Sequence, residues 1–202
     1  LLHQLQAASG TPAFQVVRIP VNETSRFKRV LDMGAHGVMV PFVNTAVEAQ
    51  AAVTAMRYPP RGIRGVAKVH RGAAFGADFD DYYLHAHERL LAIMQIETPE
   101  AVSNIDAIAA VDGVDVLFVG PTDLTHSMGI RDEFNHPRFL EALRTVADAA
   151  MRHGKAAGIL VHTAALLPIV RDMGFTFASF GHDGSAVRSG LITILETLRK
   201  AE

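Results

Sequence analysis

Cysteine and tryptophan are absent from all 202 residues. Without cysteine the chain has no disulfide and no thiolate metal ligand, so any metal must be held by oxygen or nitrogen. No apolar run approaches the roughly 20 residues that a membrane-spanning helix needs, and no signal-peptide pattern is visible. No excess of one charge exists either: 19 Lys and Arg stand against 21 Asp and Glu. A nucleic-acid partner would call for a basic stripe, so none is expected. No GxGxxG or P-loop turn follows any apolar run, and no internal repeat or low-complexity segment occurs. A cytoplasmic enzyme fits these absences.

What is present is a regular alternation. Short, nearly continuous apolar runs cover residues 13–19, 37–42, 90–97, 114–120, 156–162 and 175–180. Such runs read as strands buried on both faces of a parallel sheet. Helical patterns lie between them, at about 24–33, 45–56, 99–110, 137–153, 164–173 and 185–198, and residues 1–8 read as the end of a further helix. Gly34, Gly154 and Gly174 stand where helix C-caps belong, and Thr98-Pro99-Glu100 reads as a helix start. Alternating strands and helices imply right-handed parallel crossovers. Half the chain is hydrophobic, enough for one substantial core, so residues 1–202 are expected to form one domain.

The expected fold is α/β, a (β/α)8 TIM barrel lacking β1, α1 and β2, which at about 250 residues per barrel amounts to some 50 residues. An open doubly wound sheet is the rival, but it usually carries the Gly-rich turn that is missing here. The first residue being Leu1, within a helical pattern, is consistent with a fragment. The only long connection runs from Arg57 to about Glu88, and loops of that length tend to be functional or mobile.

In a parallel barrel the strand C-termini share one face, and active sites form there. Glu97 ends one strand pattern, and Asp123 follows the next by three residues. Neighbouring strands lie about 4.8 Å apart, so two carboxylates there can converge on one divalent cation. Oxygen ligation with open positions suits Mg²⁺, Mn²⁺ or Co²⁺, and the open positions could take a 2-oxo acid. Each carboxylate also has an ordinary use, Glu97 beside a helix start and Asp123 as a loop or N-cap residue. Arg18, near the end of an apolar strand, must face the rim or find a partner, and could bind an oxyanion or make a salt bridge. Gln95 shares the Glu97 side of its strand and could orient it. His162 and His182 end or follow strands on the same face, where a His could serve as the proton-transfer base but more often is a rim residue bonded to a loop. Lys68 and Lys155 lie in the long loop and before a strand, unsuited to a Schiff-base site.

Several motifs in this order resemble one family. They are Val16-Val17-Arg18-Ile19-Pro20, Val30-Leu31-Asp32-Met33-Gly34-Ala35, Arg57-Tyr58-Pro59-Pro60-Arg61-Gly62-Ile63-Arg64-Gly65, Gln95-Ile96-Glu97-Thr98 and Phe118-Val119-Gly120-Pro121-Thr122-Asp123-Leu124. Gly154-Lys155-Ala156-Ala157-Gly158 completes them. Together they resemble the HpcH/HpaI metal-dependent pyruvate aldolases along nearly the whole chain. The resemblance implies a (β/α)8 barrel and a carbon–carbon lyase that cleaves 4-hydroxy-2-oxo acids to pyruvate and an aldehyde, or runs the reverse addition. It implies Glu97 and Asp123 as metal ligands and Arg18 as the group on the pyruvate keto oxygen. It also implies Gln95 beside the metal, backbone at Thr122 and Asp123 for the pyruvate carboxylate, and Leu160 shaping the aldehyde pocket. Asp32 matches an acid that pairs with a catalytic His from a D-x-E-H segment, expected upstream of Leu1. A homo-oligomer, a hexamer in this family, and a role in aromatic compound catabolism also follow from the resemblance. The alternatives are a citrate-lyase-like acyl-CoA lyase and a non-catalytic truncated barrel completed by a partner.

Overall fold

The computed structural model describes residues 1–200. Six parallel strands form one open sheet in sequence order, an incomplete barrel wall with free edges at its first and last strands. They are β1 Val16–Arg18, β2 Gly37–Val40, β3 Leu91–Ile96, β4 Val116–Val119, β5 Ala156–Val161 and β6 Phe175–Phe180. Pairing from β1 through β5 runs without a register shift, and one shift at Ala157/Gly158 separates β5 from β6.

Strand side chains alternate between faces, and both faces find apolar neighbours. Val38, Val40, Met94, Ile96, Leu117, Val119 and Ile159 pack outward into the main core with helix residues such as Phe27, Leu31, Ile108 and Phe139. The opposite face forms a smaller interior cluster of Ile93, Val116 and Phe118, joined by Val16, Met39, Leu91, Ala156, Leu160 and Phe177. Gly158 is needed there, because a Cβ would come within 2.7 Å of the Phe118 ring. The two faces explain why the strands read as continuous rather than alternating apolar runs.

The helices follow the sequence signals with three differences. Thr45 and Glu48 form a capping box at the start of α3 (Ala46–Met56), and Thr98 caps α5 (Pro99–Ser103). The single helix expected at 99–110 is divided at Asn104, after which α6 (Ile105–Ala109) begins. Asn104 donates its side-chain amide to the Asn44 carbonyl, a tie that no local pattern announces. A short helix, α7 (Pro121–Ser127), starts directly after β4. Within the long connection the chain forms a 3₁₀ segment, Arg71–Gly76, and then an 11-residue helix, α4 (Phe79–Arg89). Its acidic and histidine residues dilute the apolar period. No helix among the described residues is long and apolar enough to cross a membrane.

That connection joins the C-terminus of α3 to the first residue of β3, so it lies at the N-terminal end of the strands. A buried ionic latch ties it to α2 (Thr24–Asp32). Arg64 is 1% exposed. It donates to Asp32 Oδ1 at 2.7 Å and to the Tyr82 hydroxyl at 3.0 Å, and lies 4.5 Å from the centre of the Tyr58 ring. Lys28 also pairs with Asp32. The Tyr58 hydroxyl is 3.3 Å from His70 Nε2. Burial pushes the Asp32 carboxyl up, but the hydrogen bonds from Arg64 and Lys28 outweigh it and hold the group below its ordinary range. Burial pushes the Tyr58 phenol up to about 12 and the His70 imidazole down.

Asp32→Asn is therefore expected to cost about 3 kcal/mol in urea unfolding, because it strands the Arg64 charge. Asp32 has a depressed folded pKa, so its contribution is present above the ordinary aspartate value and is lost as pH falls through the folded value. His70 prefers to stay neutral, so stability also falls as pH drops below its ordinary value of 6.5. Unfolding free energy measured from pH 7 to pH 5 should decline, and His70→Gln should flatten that decline.

Candidate functional site

Residues on the interior face of the sheet continue the apolar ladder into polar groups at the strand C-termini. On β3 the series Leu91, Ile93, Gln95 leads to Glu97, one residue beyond the strand. On β4, Val116 and Phe118 lead to Gly120. On β5, Ala156, Gly158 and Leu160 lead to His162, and on β1 Val16 leads to Arg18. Ile96 pairs with Val119 and Val119 with Ile159. Continuing that register by one residue puts Glu97, Gly120 and Leu160 on one rung.

Glu97 is only 3% exposed, though it is a carboxylate. Its Oε1 accepts from Gln95 Nε2 at 2.9 Å, and its Oε2 accepts from the Phe42 backbone N–H at 3.1 Å. No basic residue among the described residues forms an ion pair with it. Burial pushes its pKa up. The Phe42 N–H pulls it down, the Asp123 charge pushes it up, and the Arg18 charge pulls it down. Asp123 and Arg18 thus both act on this carboxyl through space. Asp123, on the first turn of α7, is exposed. Arg18 is exposed too and makes no hydrogen bond or salt bridge among the described residues, so it is not a rim salt bridge within this chain.

Two backbone positions complete the setting. A Cβ on Gly120 would fall 2.4 Å from Glu97 Oε1, so only glycine leaves the carboxylate its place. Phe42 has φ of 50°, a left-handed conformation costly for a bulky residue, and it aims its N–H at Glu97. The sequence gives no sign of the Phe42 contact. The close approach at Gly120 could have been suspected from a glycine standing where a strand side chain would face the barrel interior.

Among the described residues no cluster of three or more His, Cys, Asp or Glu is found, so a metal centre here rests on two carboxylates. The donor set still fits a hard divalent cation. A buried, unpaired carboxylate is costly unless a positive charge approaches it. Gln95 Oε1 is also buried with no hydrogen-bond donor, leaving an acceptor free beside that carboxylate. Oxygen donors with open coordination positions suit Mg²⁺ or Mn²⁺.

The structure does not bring Asp32 to this end of the sheet. It sits in the last turn of α2, before β2 begins, held by Arg64 and Lys28 and 4.0 Å from His70. His162 and His182 diverge. His182 is used as the N-cap of α10 (Asp183–Arg199), accepting from the Ser185 N–H. His162 is bonded to Thr122 in the first turn of α7, with Nε2 2.9 Å from its Oγ1. Leu160 packs on the interior cluster.

Residues 1–190 match the family described as HpcH/HpaI aldolase/citrate lyase. The chain belongs to that family. A 5-keto-4-deoxy-D-glucarate aldolase of Klebsiella pneumoniae subsp. pneumoniae is 40% identical over 200 residues, covering 99% of this chain and 78% of that protein. The crystal structure of a family member from Burkholderia cenocepacia superposes with a TM-score of 0.91 at 36% identity, covering 98% of this chain and 79% of that one. The sheet described above thus corresponds to part of the TIM barrel of HpcH/HpaI structures. A more distant citrate lyase beta subunit from M. tuberculosis, complexed with oxaloacetate and magnesium, shares the fold at 19% identity and a TM-score of 0.56, covering 90% of this chain and 73% of that one.

If Glu97 and its surroundings take a cation, Mn²⁺ at about 100-fold excess over its Kd should raise the melting temperature by roughly 5–10 °C. Glu97→Gln should melt no lower than the parent without metal, since it removes a buried charge, and should show no Mn²⁺ shift. Gly120→Ala should lose the shift as well. Retention of the full shift in both variants would place the cation elsewhere.

Proposed function

We propose that this member of the family is a divalent-metal-dependent pyruvate aldolase acting on 4-hydroxy-2-oxo acids. The observation that carries this is the buried, unpaired Glu97 carboxylate on the interior face, beside the orphaned Gln95 Oε1 and within electrostatic reach of Asp123 and Arg18. Glu97 and Asp123 would hold the cation. When bound, the cation supplies Lewis-acid polarisation of the substrate's keto oxygen. Mg²⁺, Mn²⁺ and Co²⁺ all suit such oxygen donors.

Arg18 donates to the same keto oxygen. A base removes the C4 hydroxyl proton, the C3–C4 bond breaks, and the C4 carbon leaves as the aldehyde carbonyl. The electron pair from that bond passes into the keto system, and Arg18 stabilises the charge gathering on the oxygen as the enolate forms. Protonation at C3 releases pyruvate. Gln95 keeps Glu97 oriented through its amide hydrogen bond. Backbone at Thr122 and Asp123 receives the substrate carboxylate, and Leu160 borders the aldehyde side. Asp32 is assigned no proton step, because it lies at the opposite end of the sheet.

The named substrate of the 40% identical relative is a sugar diacid. Cleavage of such a compound yields pyruvate and a hydroxylated aldehyde that keeps a carboxylate. We place this chain's substrate in that class in preference to an aromatic-derived acid or an acyl-CoA. The enzyme is also proposed to act as a homo-oligomer, a hexamer. That part of the reading rests on the family alone; the exposed apolar stripe of α10 (Val187, Leu191, Ile194, Leu195 and Leu198) lies beside the free edge at β6, where a closed barrel would continue.

The full-length protein should release pyruvate from 5-keto-4-deoxy-D-glucarate with Mn²⁺, and EDTA should abolish release. Arg18→Ala should lower kcat by about 10²–10³-fold, as expected for loss of an oxyanion donor. Absence of metal-dependent release from any 4-hydroxy-2-oxo acid would overturn the proposal.

A further inference from the structure

His162 is held more firmly than an idle rim residue would be. It follows β5 (Ala156–Val161) by one position and, by alternation, shares the interior face with Leu160. Its Nε2 lies 2.9 Å from Thr122 Oγ1, at the start of α7. Its ring packs on Phe134, centroids 4.8 Å apart at an interplanar angle of 30°. Two contacts from two different segments therefore fix both the position and the plane of the imidazole. Its Nδ1 makes no hydrogen bond among the described residues, and the side chain is open to solvent at the strand ends. His182, the other histidine beside a strand C-terminus, spends its Nδ1 on the N-cap of α10 and has no aromatic neighbour fixing its ring among the described residues.

The tautomer depends on which way the Thr122 hydroxyl points, since it can donate or accept. With the Thr122 hydroxyl donating to Nε2, a neutral imidazole carries its proton on Nδ1. A fixed, unengaged N–H donor then faces the mouth of the barrel wall. Its height above the reaction centre can be read from the register. Glu97, Gly120 and Leu160 share a rung, so His162 stands two residues further out, about 6–7 Å. In a six-carbon diacid of the proposed class, four carbon–carbon bonds separate the keto carbon from the far carboxylate carbon. In extended form they span about 5 Å at about 1.5 Å per bond. Such a tail is long enough to bring the far carboxylate to about the height of His162 along the sheet.

Resting on the aldolase reading above, we infer that His162 is a specificity-determining residue that donates a hydrogen bond to the oxygenated tail of the substrate, the part that leaves as the aldehyde. Thr122 and Phe134 act as its positioning residues. The selected substrates are 4-hydroxy-2-oxo acids whose tail ends in a carboxylate rather than a methyl group.

Steady-state pyruvate release by the full-length protein with Mn²⁺ tests this on two substrates, 5-keto-4-deoxy-D-glucarate and the methyl-tailed 4-hydroxy-2-oxopentanoate. His162→Ala should raise KM for the diacid about 10–100-fold, the range for a charge-assisted hydrogen bond. It should leave kcat on both substrates, and KM for the methyl-tailed one, within about twofold, a tolerance well below the effect of one hydrogen bond. His162→Asn, which keeps a donor near the Nδ1 position, should recover most of the diacid KM. Equal losses on both substrates would mean that His162 only props the loop, and would overturn the inference. So would no loss on either, or an Asn variant no better than Ala. Parent activity on the methyl-tailed substrate without activity on the diacid would refute the His162 assignment while leaving the aldolase reading intact. Parent inactivity on both would refute the aldolase reading and the assignment with it.

Discussion

Parallel pairing without a register slip between β2 and β5 is the constraint on which the candidate site depends. Side chains alternate with a period of two, so one residue of slip would turn Gln95 and Glu97 away from the interior face. The pairing of Ile96 with Val119 and of Val119 with Ile159 sets Glu97 beside Gly120 and Leu160. The glycine then matters because of the register. It faces the Glu97 carboxylate at a distance that no other residue could occupy. The apolar rungs below, built on Ile93, Val116 and Phe118, fix that height from beneath.

The two ends of the sheet are specialised differently. At the N-terminal end, the long connection is drawn onto α2 by Arg64, whose charge is balanced by Asp32 and whose planar group lies against Tyr58 and Tyr82. Arg64 is a stability device: it is buried, multiply bonded and remote from the strand C-termini. Both ends leave buried polar atoms without a partner, Arg64 Nε and His70 Nδ1 in the latch and Gln95 Oε1 at the strand C-termini. Glu97 is buried without a counter-ion, Gln95 Oε1 lacks a donor, and Phe42 carries an unfavourable backbone conformation to supply one N–H. Strain and unmet polar groups tend to gather where a ligand relieves them.

Helix α10 shows the same incompleteness in apolar form. A stripe of large aliphatic side chains on a 17-residue helix packs against nothing among the described residues. Most helices in proteins gain their stability from packing an apolar face. This helix follows β6, the free edge of the sheet, where a closed barrel would continue and cover it.

Much of this was legible in the residues alone. Six apolar runs between helical patterns specify a parallel α/β sheet, because a strand covered on both faces excludes most polar positions, and the Thr98-Pro99 signal marks a helix start that the chain uses. The motifs sufficed to indicate the family. Other features depended on contacts distant in sequence. Helix α4 was hidden because its acidic and histidine residues obscure the apolar period, and it is held by Tyr82 and Tyr83 packing on a loop some 20 residues earlier. Asp32 matched by motif an acid that pairs with a His not found in this sequence; in the structure it lies in the last turn of α2, bonded to Arg64 and Lys28, at the other end of the sheet from Glu97. The Phe42 N–H on Glu97, 55 residues away, and the His162 bond to Thr122, 40 residues away, are made only when parallel pairing draws the strand ends together. Local patterns therefore determined which elements form, while register and packing between distant segments decided which side chains meet.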